Sequence, residues 1–125
     1  MIFGIGTDIV AVARMAEYWQ RHGERGLEKM LAPDEREACR SSHDPARFLA
    51  KRFAAKEALG KALGTGVRAP VLLPDIAINH DELGKPGFAF APALAAHLAE
   101  RGLSAHLSIS DEQDYAVAFV ILETI

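Results

Sequence analysis

The chain is poor in cysteine: Cys39 is the only one among 125 residues. A single cysteine cannot form a disulfide within the chain, which argues against the disulfide-stabilised secreted class. The chain also lacks an apolar run long enough to cross a bilayer. It does not show the basic start followed by an apolar stretch that is typical of a signal peptide. We therefore expect a cytoplasmic protein with no membrane partner.

Concentrated positive charge is a third absence. The formal net charge is −3 at pH 7, and the 14 lysine and arginine residues form no long basic run. Binding to a nucleic-acid backbone requires a concentrated basic surface, so nucleic acid is not expected as a partner. Half of the residues are hydrophobic. This is enough for one compact domain over residues 1–125 and too little for two.

The first third of the sequence predicts one strand followed by short helices. Residues 1–10 form a nearly continuous apolar run, which is typical of a buried strand. A helix is predicted over residues 13–22, and Gly23 is predicted to end it. Pro33, with acidic residues directly after it, begins a helix that continues to Arg40.

The remaining pattern predicts one long helix and two pairs of short strands. The long helix begins at Asp44 and Pro45 and ends near Leu63, before the glycines of residues 64–66. Strands are predicted at 75–79, 87–90, 105–110 and 115–122, with polar turns at 80–86 and 111–114 and a helix at 93–101. The predicted fold is α+β, with an antiparallel sheet packed against one long helix.

Charged residues of both signs interrupt the apolar residues of the long helix. Arg52 and Lys56 fall among leucines, and Glu57 and Lys61 lie about one turn apart. An ordinary surface pair between Glu57 and Lys61 explains part of this pattern. The functional alternative is that the helix carries these groups into a site, because a charge among buried residues needs a partner or a ligand.

Asp8 is the second unusual charge, since it lies within the apolar first strand. Aspartate is rare in strands and is seldom buried without a partner. At period two, Gly4, Gly6 and Asp8 share one face, and the glycines leave room beside the carboxylate for a backbone or a ligand. The alternative is that Asp8 ends the strand and caps the following helix.

Near the end of the chain, His106, Ser108 and Ser110 alternate with Leu107 and Ile109. A strand repeats every two residues, so the three polar side chains share one face and the two aliphatic ones the other. A solvent-facing strand surface explains this alternation. A polar face that binds a ligand is the functional alternative.

Three motifs occur in order along the chain: Gly4-Ile-Gly6-Thr-Asp8-Ile, the segment from Arg52 to Gly66 that contains Lys56-Glu57 and Lys61, and His106-Leu-Ser108-Ile-Ser110. In this combination the chain resembles the holo-[acyl-carrier-protein] synthase family of short-chain 4′-phosphopantetheinyl transferases. The resemblance implies the fold of that family. It also implies transfer of the phosphopantetheine arm of coenzyme A to a serine of apo acyl carrier protein, in support of fatty acid biosynthesis. A noncatalytic subunit that binds coenzyme A or a nucleotide is the alternative.

The reaction implied by the resemblance requires a hard cation, and Mg²⁺ is the expected cofactor. Mg²⁺ prefers a few carboxylate oxygens together with water and substrate phosphate, so Asp8 and Glu57 are its expected ligands if they converge. Lys61 is expected to offset charge on the reacting phosphates. Either Glu57 through water or His106 directly is expected to accept the serine proton.

Matching positions in the family also imply the coenzyme A contacts and the partner surfaces. The expected coenzyme A contacts are Arg52, Gly64, Thr65, Gly66, Pro86, His106 and Ser108. Arg14 and Arg21 of the first helix are expected to contact the acidic carrier protein, and a solvated face neutralised by nearby glutamates is the alternative. The resemblance further implies a homotrimer with sites between subunits. Asp111 stands where many relatives have histidine, which leaves its role open.

Overall fold

The computed structural model describes all residues, 1–125. The elements follow one another as β1 (Ile2–Ala11), α1 (Val12–Met30), α2 (Pro33–Ser41), α3 (Pro45–Leu63), a 3-10 helix (Leu73–Asp75), β2 (Ile76–His80), β3 (Pro86–Phe90), α4 (Pro92–Glu100), β4 (Leu103–Asp111) and β5 (Tyr115–Thr124). None of the helices is both long enough and apolar enough to cross a membrane.

A three-stranded antiparallel sheet in the order β1-β5-β4 forms the centre of the fold. Helix α3 packs on one face of this sheet and supplies many of the buried side chains. The helix begins and ends where the sequence predicts, with the Asp44 side chain accepting a hydrogen bond from the Arg47 N–H at its start. The predicted α+β class, with a long helix packed on an antiparallel sheet, is confirmed.

The contact between β1 and α3 depends on two glycines. A Cβ atom at Gly4 would collide with the carbonyl oxygen of Ala62, and one at Gly6 would collide with that of Ala58. Any larger residue at either position would therefore push the helix away from the strand. The room that the glycines provide is occupied by the backbone of α3, and it places Asp8 directly beside that helix.

The opposite face of the sheet carries exposed apolar side chains. Ile5 and Ile9 of β1 stand opposite Ile121 and Val117 of β5 in the strand register. Between these pairs, Phe119 is 42% exposed. A continuous apolar sheet surface therefore faces solvent in the single chain, and we call it the outer face. Such surfaces on soluble proteins are typical of contacts with another protein.

Strands β2 and β3 form a separate two-stranded antiparallel sheet. Ile78 stands opposite Phe88, and His80 stands opposite Pro86 at the turn. The Asp81 side chain accepts hydrogen bonds from two backbone N–H groups of this turn, which closes the hairpin. The predicted hairpin is confirmed, and its strands form no hydrogen-bonded ladder with those of the central sheet.

Helix α1 is kinked at Gly23, whose φ of 56° and ψ of −140° are not helical. Glycine adopts a positive φ without the steric cost that other residues incur. The sequence predicts that the helix ends here, whereas the structure shows that it resumes in a new direction and continues to Met30. Arg14 and Arg21 lie before the kink and Arg25 lies after it, so the three do not form one stripe.

Candidate active site

Asp8 lies inside β1, opposite Ala118 of β5, on the face that α3 covers. Its carboxylate Oδ1 lies 2.9 Å from Nζ of Lys61. Lys61 also donates a hydrogen bond to the carbonyl of Thr7 at 3.0 Å. The cap of α1 is Ala11, which forms no side-chain hydrogen bond to the helix. Asp8 is therefore not a helix cap, and it links the strand to α3 instead.

Glu57 lies close to the pair formed by Asp8 and Lys61. Burial raises the pKa of Glu57 and the negative charge of Asp8 raises it further, while Lys61 and Arg14 lower it. Effects of this kind indicate that Asp8, Lys61 and Arg14 each lie near Glu57. Glu57 and Lys61 form no ion pair, so the surface pair that the sequence offered as an alternative is absent. We call Asp8, Glu57 and Lys61 the carboxylate half-site.

The donors of the carboxylate half-site suit Mg²⁺. No group of three or more His, Cys, Asp or Glu side chains in the protein is arranged to hold a metal ion. Zinc sites usually need three or four such ligands, whereas Mg²⁺ uses one or two carboxylates and takes the rest from water and phosphate. Burial and then the charge of Asp8 raise the pKa of Glu57, and a divalent cation bound between the two carboxylates would relieve their repulsion.

Residues 64–66 form the turn that leaves α3. Gly64 has a φ of 80° and is the left-handed cap of the helix. Its N–H donates to the carbonyl of Lys61, and the N–H of Gly66 donates to the carbonyl of Gly60. Two of the three backbone N–H groups of this expected coenzyme A contact are therefore used within the cap. Only the N–H of Thr65 has no backbone acceptor in this turn.

Arg52 lies in a second cavity, nearer the start of α3. This cavity has a volume of about 290 Å³. The residues that line it include Lys51, Arg52, His80, Pro86 and Asp111. Two of the expected coenzyme A contacts, Arg52 and Pro86, thus share one cavity, which we call the arginine pocket. From Arg52 to Gly64 the helix rises about 18 Å. The arginine pocket, beside the middle of α3, and the glycine turn at its end are therefore well separated along the helix.

Lys51 and Arg52 outnumber the one acidic residue, Asp111, around the arginine pocket. Burial lowers the pKa of Arg52, and that of His80 is lowered by burial and by the charges of Arg52 and Lys51. Asp111 is the acidic residue of the pocket, and its carboxylate lies 3.1 Å from Arg47 and 3.7 Å from Lys51. Asp111, whose role the family pattern leaves open, therefore attaches the end of β4 to α3.

His106 and Ser108 lie on the outer face of the sheet. Both are exposed, as is Ser110, whereas Leu107 is buried on the side of α3. The Nε2 atom of His106 lies 2.9 Å from the carboxylate of Glu123 on β5. β4 is two strands away from β1, a separation of about 10 Å, and His106 faces away from α3. His106 therefore does not reach Glu57 of its own chain.

Arg14 and Arg21 line a groove between α1 and α3. The groove has a volume of about 510 Å³, and its walls include Tyr18 and Phe53. The Arg14 guanidinium carbon lies 5.5 Å from the centroid of the Phe53 ring. Glu17 also lines this groove, so one acidic residue accompanies the two arginines. Because Arg14 also lowers the pKa of Glu57, this groove and the carboxylate half-site are neighbours.

Comparison with known proteins identifies the family of this chain. The model of the 4′-phosphopantetheinyl transferase superfamily matches residues 4–120. The chain belongs to this superfamily. The holo-[acyl-carrier-protein] synthase of Azoarcus sp. (strain BH72) is 60% identical over 124 residues and is aligned over 99% of both chains. That of Dechloromonas aromatica (strain RCB) is 61% identical over 123 residues and 98% of both chains.

Solved structures agree with this membership. The crystal structure of holo-[acyl-carrier-protein] synthase from Neisseria meningitidis matches with a TM-score of 0.95 and 46% identity, over 99% of this chain and 100% of that one. The Bacillus anthracis enzyme, solved in complex with CoA (3′,5′-ADP), matches with a TM-score of 0.83 and 35% identity, over 100% and 99% of the two chains. The predicted family and fold are confirmed.

The partner of buried Lys56 in this phosphopantetheinyl transferase was not foreseen from the sequence. Lys56 is fully buried, and its Nζ donates to the carbonyls of Met30 and Leu73 and to the Glu35 carboxylate. In the sequence, Glu35 indicates only an acid near a helix start. A lysine among leucines signals that a buried partner exists, but this partner lies 21 residues away, and no spacing rule identifies it.

Proposed function

We propose that the protein transfers the 4′-phosphopantetheine arm of coenzyme A to a serine of apo acyl carrier protein, in support of fatty acid biosynthesis. The serine oxygen forms a bond to the phosphorus that bears the pantetheine, and the bond from that phosphorus to the bridging oxygen breaks. Adenosine 3′,5′-bisphosphate leaves. The observation that carries the proposal is the cluster of Asp8, Glu57 and Lys61 between β1 and α3, in a chain of this superfamily.

The proposed cofactor is Mg²⁺, with Asp8 and Glu57 as its protein ligands. When bound, Mg²⁺ neutralises pyrophosphate oxygens that would otherwise repel the serine oxygen. Lys61 is proposed to stabilise the negative charge that develops on the leaving phosphate. Its hydrogen bonds to Asp8 and to the carbonyl of Thr7 support this role, because they hold the ammonium group at the half-site before substrate arrives.

Glu57 is proposed to accept the serine proton through a water molecule. A carboxylate oxygen of Glu57 that does not bind the metal could accept a proton from a water molecule within hydrogen-bond reach. His106 is the other candidate base. It is separated from Glu57 of its own chain by the sheet, so it can act only at a site that a neighbouring subunit completes.

Arg52 is proposed to bind a phosphate of coenzyme A in the arginine pocket, with Pro86 forming part of the wall. The pocket is lined by two cationic side chains, Lys51 and Arg52, and by one carboxylate, that of Asp111. This excess of positive charge favours binding of an anion. In the turn after α3, the N–H of Thr65 is the proposed phosphate donor, and Gly64 and Gly66 shape the turn around it.

The proposed assembly is a homotrimer in which the carboxylate half-site of one subunit is completed by its neighbour. The neighbour would contribute its arginine pocket together with His106 and Ser108. Two observations support this assembly. The apolar outer face offers a surface to bury, and the expected coenzyme A contacts of one chain do not share one cavity.

The groove that contains Arg14 and Arg21 is the proposed docking surface for acyl carrier protein. Its arginines suit an acidic partner, and its apolar wall, which includes Tyr18 and Phe53, can bury a side chain of that partner. The groove borders the carboxylate half-site through Arg14. A carrier bound there would hold its serine close to the reacting phosphate.

The cytoplasm is the proposed location of the reaction. Cys39 is a free and buried thiol, which suits a reducing compartment. The proposed partners are coenzyme A and acyl carrier protein, and no nucleic acid or membrane takes part.

Intact-mass spectrometry of apo acyl carrier protein tests the proposal. The carrier is incubated with the protein, coenzyme A and Mg²⁺, and parallel samples contain a chelator or lack the protein. We expect the mass of the carrier to increase by one phosphopantetheine group in the complete mixture alone. Binding of coenzyme A without any change of the carrier mass would instead identify a noncatalytic binding subunit.

A further inference from the structure

Glu35 is a buried carboxylate that the proposed reaction does not use. The residue is 4% exposed. One carboxylate oxygen accepts hydrogen bonds from the N–H of Ala32 at 3.0 Å and from Nζ of Lys56 at 2.7 Å. The other accepts from the N–H of Ile78 at 3.0 Å. Glu35 therefore joins α2, α3 and β2, and a carboxylate buried to this extent requires cations beside it.

Arg52 is the second cation beside Glu35. Its Nε lies 3.1 Å from Glu35 Oε2, and the direction of the N–H makes this contact an ion pair without a hydrogen bond. The guanidinium carbon lies 4.4 Å from the centroid of the Phe48 ring. The side chain is 13% exposed. Held between a carboxylate and an aromatic ring, the guanidinium has little freedom to rotate.

The positive charge of Arg52 remains available to a ligand. Lys56 uses all three of its N–H donors on Glu35 and the carbonyls of Met30 and Leu73. One carboxylate thus serves two cations, and Lys56 is the one whose donors are fully used. Arg52 donates no hydrogen bond to the protein and lines the arginine pocket. An anion in that pocket would supply the acceptors that its terminal N–H groups lack.

We propose that Glu35 is a positioning residue for phosphate recognition, because its carboxylate orients the Arg52 guanidinium in the arginine pocket. The same carboxylate holds β2 at Ile78, two residues before His80, which lines the same pocket. Glu35 thereby fixes two walls of the pocket relative to each other without touching the ligand. This inference rests on the proposed function, in which Arg52 binds a phosphate of coenzyme A.

A double-mutant cycle tests the inference. Glu35→Gln, Arg52→Met and the double variant are compared with the wild-type protein by calorimetric titration with adenosine 3′,5′-bisphosphate and with coenzyme A, and thermal unfolding confirms that each is folded. Each single substitution is expected to weaken binding about tenfold or more. Because Glu35 acts through Arg52, the double variant is expected to bind no more weakly than Arg52→Met alone.

Two results would overturn the inference. In the first, the losses in the double variant add, which would mean that Glu35 supports the fold independently of Arg52. In the second, either folded single variant binds both ligands as tightly as the wild type does. In steady-state assays, Glu35→Gln is expected to raise KM for coenzyme A with little change in kcat, since the carboxylate half-site is intact.

Lys56→Met is the matched control, because it removes the other cation from Glu35 and leaves the ion pair with Arg52. It is expected to lower Tm while coenzyme A affinity stays within about twofold of wild type. If Glu35→Gln does not fold, the cycle is repeated in the Lys56→Met background, where no buried ammonium is left unpaired. If the wild-type protein modifies the carrier but the losses in the double-mutant cycle add, this inference alone is wrong. If the wild-type protein leaves the carrier unmodified, the proposed function is wrong.

Discussion

Lys61 and Asp8 form an ion pair of 2.9 Å between α3 and β1, although Glu57 lies one helical turn before Lys61 on the same helix. A second hydrogen bond, to the carbonyl of Thr7, holds the ammonium group against the strand. Glu57 consequently forms no ion pair, and the charge of Asp8 adds to the effect of burial in raising its pKa. In the half-site, Asp8 is therefore paired with Lys61, whereas the negative charge of Glu57 has no ion-pair partner.

The carboxylate pair yields the first prediction. Asp8→Asn and Glu57→Gln are each expected to lower transfer in the presence of Mg²⁺ by about 100-fold or more, because each removes one of the two carboxylates proposed to bind the metal. The raised pKa means that ionising Glu57 opposes folding as pH rises through that pKa. Glu57→Gln is therefore expected to keep or raise the Tm of the metal-free protein at neutral pH.

The measurements are the carrier mass assay and thermal unfolding without metal. Glu82→Gln, an exposed residue of the β2–β3 turn, is the matched control and is expected to behave as wild type. Full transfer activity in either half-site variant would contradict the assignment.

Lys61 yields the second prediction. Lys61→Met is expected to lower kcat by about 100-fold, because it removes the cation proposed to stabilise the departing phosphate. The KM for carrier protein should change little, since Lys61 does not line the groove that holds Arg14. Lys61→Arg keeps the charge and is expected to recover part of the lost kcat. If the Lys61→Met variant has a normal kcat, Lys61 has no catalytic role and only links α3 to Asp8.

Arg14 yields the third prediction, with Arg25 as its internal control. Arg14→Glu is expected to raise KM for acyl carrier protein about tenfold, because it places a negative charge before an acidic partner. The difference from wild type should shrink at high ionic strength, where screening weakens the repulsion. Arg25→Glu reverses the same charge beyond the kink and outside the groove. Equal effects of both variants in carrier titrations would argue for a nonspecific charge effect.

Cys39 yields the fourth prediction. Burial raises the pKa of Cys39 to about 11, from an ordinary value of 9.0. Between these values the unfolded chain loses the thiol proton and the folded chain keeps it, so the free energy of unfolding should fall as pH rises. Cys39→Ala is expected to remove this part of the pH dependence in denaturant titrations. The thiol of Cys39 is expected to react with a disulfide reagent only when the protein unfolds. Fast labelling of the folded protein would contradict the burial of this thiol.

Phe119 yields the fifth prediction, which concerns assembly. Phe119→Asp places a charge at the centre of the outer face and is expected to convert the proposed trimer to monomers with little residual transfer. Leu83→Asp is the control, because Leu83 is 95% exposed in the β2–β3 turn. Sedimentation velocity measures the mass, and circular dichroism checks the fold. An undissociated Phe119→Asp protein would exclude the outer face as the subunit interface.

Local patterns predicted the elements of the fold well. Asp44 and Gly64 mark the two ends of α3, and both act as the caps that their residue types indicate. The alternation of His106 and Ser108 with Leu107 correctly predicts one exposed and one buried face of β4. These successes share a cause, since capping and strand periodicity depend on residues close together in the chain.

Long-range partners could not be predicted in the same way. The pairs between Lys56 and Glu35 and between Lys61 and Asp8 join different elements, and nothing in the spacing of those residues specifies them. The sequence also predicted a helix end at Gly23, because a positive φ usually ends a helix. Tertiary contacts of Leu27 and Met30, both buried, favour the resumed helix.

The helical span from Arg52 to Gly64 has a consequence for how this chain can vary. Inserting one residue within it would move one end about 1.5 Å further away and turn it by about 100° relative to the other. The arginine pocket and the turn after α3 would then no longer present their groups in matching directions. In the proposed trimer one chain contributes its arginine pocket to one coenzyme A site and its glycine turn to another, so the length of this span fixes the spacing between neighbouring sites.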